Sequence, residues 1–283
     1  YKSNKEITFD DSSIEVPTAV KSFEDIASGK DWRMVVTGVG GSGVTTISRV
    51  LSHAAKSMNG RSDLDFKFMD QKGLAQRNGN VTGHLSIYKK GLSRGAVTPL
   101  SSADLLVSPD LLDASGQLHF LGEEGLAIID KNFQIPLSIL LDNGEISETL
   151  TEAELRESLK TNLGERVNLS AMKNLCNDLL GKSVYASAMI LGVAFQSGRL
   201  PFTLVNMKEA FSSAIKKGEV ETNWLAFNLG RKVFLDGDQS VRDQYFQKKK
   251  SKFNHFALLE ESLRASFLPW QNKDTFIDLF NKN

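Results

Sequence analysis

Between Gly38 and Thr46 the sequence reads GVGGSGVTT, a cluster of glycines and hydroxyl residues that could cradle an anion. Three backbone chemistries compete for it. Gly38, Gly40 and Gly43 satisfy the GxGxxG spacing of a dinucleotide turn, in which glycines let a phosphate approach the backbone at a helix N-terminus. Gly38 and Gly43 also carry the glycine spacing of a P-loop, with Thr45 in the hydroxyl position, but Val44 stands where the phosphate-binding lysine would be. Without that charge, nucleoside triphosphate hydrolysis is not expected. In the third reading the glycines serve only to let a helix pack closely on a sheet.

A second polar segment, Asp70-Gln71-Lys72-Gly73-Leu74-Ala75-Gln76-Arg77-Asn78-Gly79-Asn80, follows at a distance. Asp70 lies 27 residues past Gly43, the candidate acid for a ribose contact. Lys72 and Arg77 could supply charge to a carboxylate or phosphate, and Gln76 an orienting amide. The plain alternative is a solvated surface loop. The sharper expectation is an anion-accepting turn made by Gly38, Gly40, Gly41, Ser42, Gly43 and Thr45, with Asp70, Lys72, Gln76 and Arg77 beside it as the substrate side. Both loops follow strand ends, where open α/β sheets place their sites.

Other chemically capable residues carry less. Cys176 sits on an apolar helical face and reads as core. His53, His84, His119 and His255 are too scattered for metal spacing, so no metal ligand is assigned. Asp110 and Asp113 fit a helix N-terminus better than acid–base catalysis, and no catalytic residue is assigned. Lys248 to Lys252 reads as a solvated face, and Trp224, Phe227 and Val233 as packing.

The elements that must position the glycine turn can be read around it. Met34-Val35-Val36 forms a buried strand before it, and Val44, Ile47, Val50, Leu51 and Ala54 share one helical face after it. Strands are expected at Leu64 to Met69, Val81 to Tyr88, Ala103 to Val107 and Leu126 to Ile129, with a helix opening at Ser108-Pro109-Asp110, where Ser108 would cap. From Thr151 the pattern turns helical, over Glu152 to Lys160, Ala171 to Leu180, Ser183 to Gln196, Asn206 to Lys217 with Asn206 as cap, and about Glu219 to Phe234. The alternation predicts an α/β fold, a Rossmann-like open and mostly parallel sheet with a helical C-terminal portion. Residues 1–30 show no sustained period and read as a linker or an arm on a neighbour. Residues 31–235 form the main domain. Residues 236–283 read as an amphipathic helical tail that begins a following region.

Composition narrows the classes further. The 283 residues carry 34 Lys+Arg and 34 Asp+Glu, so the bulk basic surplus of a nucleic-acid binder is missing. The single cysteine cannot build an iron–sulfur cage, and it points to a reducing cytoplasm. No apolar window reaches the roughly 18 residues of a membrane span. The chain begins with Tyr1 and reads as a piece of something longer or a trimmed product.

Taken together, TGVGGSGVTT (Thr37 to Thr46) and DQKGLAQRNGNV (Asp70 to Val81) resemble the gamma domain of the 2-oxoacid:ferredoxin oxidoreductases, most closely the fused indolepyruvate type. The likeness continues through LLGKSVYASAMILGVAFQSGRLP (Leu179 to Pro201) and VETNWLAFNLGRK (Val220 to Lys232). It implies a part of an enzyme that oxidatively decarboxylates arylpyruvate-type 2-oxoacids to acyl-coenzyme A, inactive alone. It also implies thiamine diphosphate, Mg²⁺, iron–sulfur clusters and coenzyme A held mainly on other domains, ferredoxin as an indirect partner, and a homo-oligomeric assembly. This chain would pack on the thiamine diphosphate domains and offer a site to substrate or coenzyme A. A stand-alone nucleotide-binding regulatory module is the alternative.

Overall fold

In a computed structural model, residues 9, 14–58, 61–72, 80–133 and 151–250 are described. The chain divides into two units, Tyr1–Val241 and Arg242–Asn283, and the first carries the sheet. Six strands lie in the order β2-β3-β1-β4-β5-β6: Trp32–Val39 (β1), Leu64–Lys72 (β2), Asn80–Lys89 (β3), Ala103–Ser108 (β4), Leu121–Asp130 (β5) and Val167–Ser170 (β6). β1, β4, β5 and β6 run parallel, whereas β3 runs against both β1 and β2. The expected open, mostly parallel α/β sheet is therefore present, with β3 as its reversed strand.

Burial explains the strand choices. The run Met34-Val35-Val36 in β1 is almost wholly excluded from water, as is Leu105-Leu106-Val107 in β4, as expected for strands covered on both faces. Helix α1 (Phe23–Ala27) opens under a reciprocal Ser22 and Asp25 capping box. Helix α2 (Val44–Lys56) buries the predicted stripe of Val44, Ile47, Val50, Leu51 and Ala54. On one face, Leu106, Ala127 and Ile129 of the sheet form a core with Leu111 and Ala114 of α3 (Leu111–Gln117) and with Leu155 and Leu159 of α4 (Glu152–Leu163).

The remaining helices are α5 (Met172–Leu180), α6 (Ala186–Gln196), α7 (Leu204–Ala214), α8 (Val220–Asp236) and α9 (Asp238–Lys250). Every residue of α6 is buried, so it is a central helix rather than a surface one. It meets α8 where a Cβ on Gly192 would stand 1.9 Å from the Phe227 carbonyl oxygen, and one on Gly230 2.0 Å from that of Met189. Backbone thus lies against backbone, and larger side chains would part the helices.

Several boundaries differ from the sequence expectation. β2 continues through Lys72, so Asp70 is a strand residue paired with Gly83 rather than the start of a loop. The cap of α3 is Asp110, whose carboxylate accepts from the Leu112 and Asp113 amides, while Ser108 bonds the Asp110 backbone. The cap of α7 is Thr203, and Asn206 closes its capping box from the third position. β6 lies in a region read as entirely helical, because four residues are too few for a period.

The segment from Ile14 to α1 lies on its own domain. The Val20 amide donates to Gly198, Gln196 donates to the Glu15 carbonyl, and the fully buried Arg231 guanidinium donates to the carbonyls of Ile14 and Glu15.

Candidate functional site

The chain leaves β1 toward β2 and β3 on one side, and leaves β4 toward β5 and β6 on the other. The C-terminal ends of β1 and β4 therefore flank the point where the strand order reverses, the position at which open α/β sheets bind ligands. The glycine turn occupies the end of β1, and Pro109-Asp110 the end of β4.

Local geometry accounts for the glycines that matter most. A Cβ on Gly38 would approach Ser42 Oγ to 2.7 Å, Val44 Cγ2 to 2.8 Å and Pro109 Cγ to 3.0 Å, so the two strand-end loops touch at this residue. Gly43 is the N-cap of α2 with φ 102° and ψ 3°, left-handed backbone that disfavours any side chain. Its added Cβ would lie 1.9 Å from Ser187 Oγ, which presses the start of α6 onto the turn.

The turn itself is closed by the Ser42 amide donating to the Val39 carbonyl at 2.9 Å. No side chain caps α2; the Thr46 amide already donates to the Gly43 carbonyl at 2.9 Å, so the Val44 and Thr45 amides are the donors the helix start leaves open. Ser42 Oγ is buried without a hydrogen-bond partner among the described residues. Gly41 and Thr45 are exposed at the rim. Open amides, a spare hydroxyl and the positive end of the α2 dipole make a surface that accepts an anionic oxygen.

Asp70 faces α2, where Ser48 Oγ donates to its carboxylate at 3.4 Å. It stands on the same side of the sheet as the turn's helix. The Lys72 side chain, Gln76 and Arg77 lie outside the described residues. The register places Val39 opposite Asn80 and Lys72 opposite Val81, so the segment between β2 and β3 leaves from the same sheet edge as the glycine turn.

Two further carboxylates stand at this edge: Asp113, read from the sequence as a helix N-terminal residue, and Asp130, which the sequence reading did not single out. Asn80 Nδ2 donates to Asp113 Oδ1 at 3.0 Å, and Asp113 Oδ2 is buried without a partner among the described residues. Burial, with Asp110 nearby, raises the Asp113 pKa above the usual carboxylate range. Asp130 ends β5 and accepts from the backbone amides of Asn132 and Lys173. Its burial pushes its pKa up to about 7 against those donors, which favour the ionised form. An acid as the last residue of a buried parallel strand was the available signal for Asp130, whereas Asp113 lies inside α3.

The donor sets do not fit the other groups the resemblance implies. Cys176 is buried with Sγ 3.9 Å from Met189 Sδ, and burial pushes its thiol pKa up, as for a core side chain. Asp236-Gly237-Asp238 forms the junction of α8 and α9, and Asp238 already accepts from Lys131 and the Ala171 amide. Among the described residues no three His, Cys, Asp or Glu side chains gather as a metal site, and no helix is long and apolar enough to cross a membrane. No step through thiamine diphosphate or a cluster is built on this chain.

An open, mostly parallel α/β sheet with a glycine turn at its switch point defines a Rossmann-like domain. Residues 33–233 match the family described as Pyruvate ferredoxin/flavodoxin oxidoreductase, and the chain belongs to that family. The resemblance carried by the two loops is thus borne out, and with it the reading that this is an enzyme component. Indolepyruvate oxidoreductase subunit IorB of Archaeoglobus fulgidus is 28% identical over 210 residues, covering 74% of this chain and 98% of that relative. The IorB subunit of Thermococcus kodakarensis is 23% identical, covering 72% and 96%. A 2-oxoglutarate:ferredoxin oxidoreductase of Magnetococcus marinus, solved with 2-oxoglutarate, coenzyme A and succinyl-CoA bound, shares the fold at TM-score 0.51 and 14% identity. That likeness covers 73% of this chain and 31% of the other.

Proposed function

We propose that this chain is the gamma-type component of a 2-oxoacid:ferredoxin oxidoreductase acting on arylpyruvates, and that its glycine turn receives an anionic group of substrate or coenzyme A. The observation that carries the site is the uncapped start of α2 beside the partnerless Ser42 hydroxyl, at the strand-order reversal. Gly38, Gly40, Gly41, Ser42, Gly43 and Thr45 form the accepting turn. Asp70 orients its helix through Ser48, and Lys72, Gln76 and Arg77 supply the charge and amide on the substrate side. The match of the IorB subunits, named for indolepyruvate, supports the arylpyruvate class.

In this reading the chain does no redox chemistry itself. Thiamine diphosphate with Mg²⁺ and the iron–sulfur clusters sit on the components it packs against, in a reducing cytoplasm, and electrons reach ferredoxin through them. A homo-oligomeric parent assembly completes the picture.

Titration calorimetry of the full chain with coenzyme A, indolepyruvate and NAD tests it. Heat from coenzyme A or indolepyruvate that is lost in Gly43→Ala supports the proposal. Binding of NAD alone would favour a stand-alone nucleotide module, and no heat from any of the three would leave the turn a packing device.

A further inference from the structure

At the opposite edge of the sheet, where β1 begins, a second group of polar atoms has no assigned task. The register sets Arg33 opposite Ser86 and Val35 opposite His84, so Arg33, Ser86 and His84 share one face. The chain after β3 folds back across that face, and the Thr98 amide donates to His84 Nδ1 at 3.3 Å. Between them opens a cleft of about 80 Å³ bordered by Arg33, Ser86, Arg94 and Thr98. A single water needs only about 10–15 Å³ of such space.

Its inner polar atoms are unsatisfied. Ser86 is 7% and Thr98 3% exposed, yet Ser86 Oγ and Thr98 Oγ1 find no hydrogen-bond partner among the described residues. A buried hydroxyl without a partner is uncommon in a folded protein and asks for one. The His84 ring is fully buried, with Nδ1 taken by Thr98 and Nε2 unpartnered, so it holds Thr98 in place and keeps a donor of its own.

The mouth is cationic. Arg33 and Arg94 share a single carboxylate, Asp31, which leaves one positive charge over. Lys21 pairs with Asp104 and cancels. The Lys67 ammonium donates to the Arg94 carbonyl, and Asp65, two residues before it on the same strand face, offsets its charge. Two hydroxyl donors inside and two guanidinium groups outside match an acceptor-only group with several oxygens. The cleft is too small for a coenzyme.

We infer that the cleft between Ser86, Thr98, Arg33 and Arg94 is a binding site for a small oxyanion, of phosphate or carboxylate type. This does not depend on the role given to the glycine turn. The test is thermal unfolding of the full chain in inorganic phosphate, and separately in acetate, with ionic strength held constant by NaCl. Phosphate is expected to raise Tm above the NaCl control, and a larger rise with acetate would identify a carboxylate as the oxyanion. The Ser86→Ala/Thr98→Val variant keeps shape and charge while removing both hydroxyls, and should weaken binding about tenfold. Arg94→Gln, at a half-exposed position, is expected to weaken it comparably without touching the core. Any part of the rise that Gly43→Ala removes belongs to the glycine turn, and the part that the hydroxyl and Arg94 variants remove belongs to this cleft. A rise equal to that in NaCl, or one unchanged in both the hydroxyl and Arg94 variants, would mean charge screening or an adventitious ion only and would overturn the inference.

Discussion

Replacing Gly43 with alanine probes the contact that shapes the glycine turn. The residue sits at φ 102° and ψ 3°, and left-handed backbone costs an L-residue about 1–2 kcal/mol. The added Cβ would also stand 1.9 Å from Ser187 Oγ and 3.2 Å from Ser187 Cβ. The first distance is impossible, so the start of α6 or the Ser187 rotamer must give way, and overpacking of this kind costs about 1–3 kcal/mol. Gly43→Ala should therefore lower the unfolding free energy by about 2–5 kcal/mol. Ser187→Ala deletes the offending oxygen and leaves a contact that a shift of a few tenths of an ångström relieves. In that background the substitution at Gly43 should cost little beyond its backbone strain, and the double-mutant cycle should return a coupling of about 1–2 kcal/mol. Urea unfolding of the full chain, followed by circular dichroism with slopes compared between variants, measures all four corners. Strict additivity would refute the idea that α6 is pressed against the turn.

Asp130→Asn isolates a pH effect. In the folded chain Asp130 releases its proton near 7, against a normal value of 3.8. The folded state then holds the proton more tightly than the unfolded state, so this group's stabilisation is present below pH 4 and is lost as pH rises toward 7, by up to about 4 kcal/mol. The difference between wild type and variant, measured by urea unfolding from pH 4 to 8, should show that slope; a flat difference would contradict it. His84 works in the opposite direction, because burial lowers its pKa and its stabilisation is lost as pH falls below the imidazole's ordinary value. Asp110→Ala removes two capping bonds to α3 and should cost about 1 kcal/mol in the same assay. Arg231→Met leaves the Gln196 oxygen and the Ile14 carbonyl without their donor and the Glu15 carbonyl with Gln196 Nε2 alone. It should cost about 3 kcal/mol and speed proteolytic cleavage near Glu15; an unchanged cleavage rate would count against the clamp.

The turn and its helix were legible because the strand, the glycines and the α2 stripe are contiguous, and each signal is local. Asp70, by contrast, was read as a loop residue since a polar run looks the same whether or not it pairs. Its place in β2 is imposed by Gly83 and the rest of β3 across the ladder. β6 was missed for the same reason, as its four residues are held by β5 rather than by any pattern of their own. Thr203 lost its capping role to Asn206 in the sequence reading because either residue can cap, and only the fold decides which turn comes first. Asp113 and Asp130 were not marked as candidates because their unusual state comes from burial by segments distant in sequence. Ser187 at the turn was equally hidden, being the second residue of an apolar helix that begins far downstream.

The most direct check on the proposed role is a backbone amide NMR titration of the ¹⁵N-labelled full chain with coenzyme A and with indolepyruvate. The account predicts saturable shifts centred on the amides from Gly40 to Thr45, weakened in Gly43→Ala. Saturable shifts elsewhere, with those amides unmoved, would contradict it.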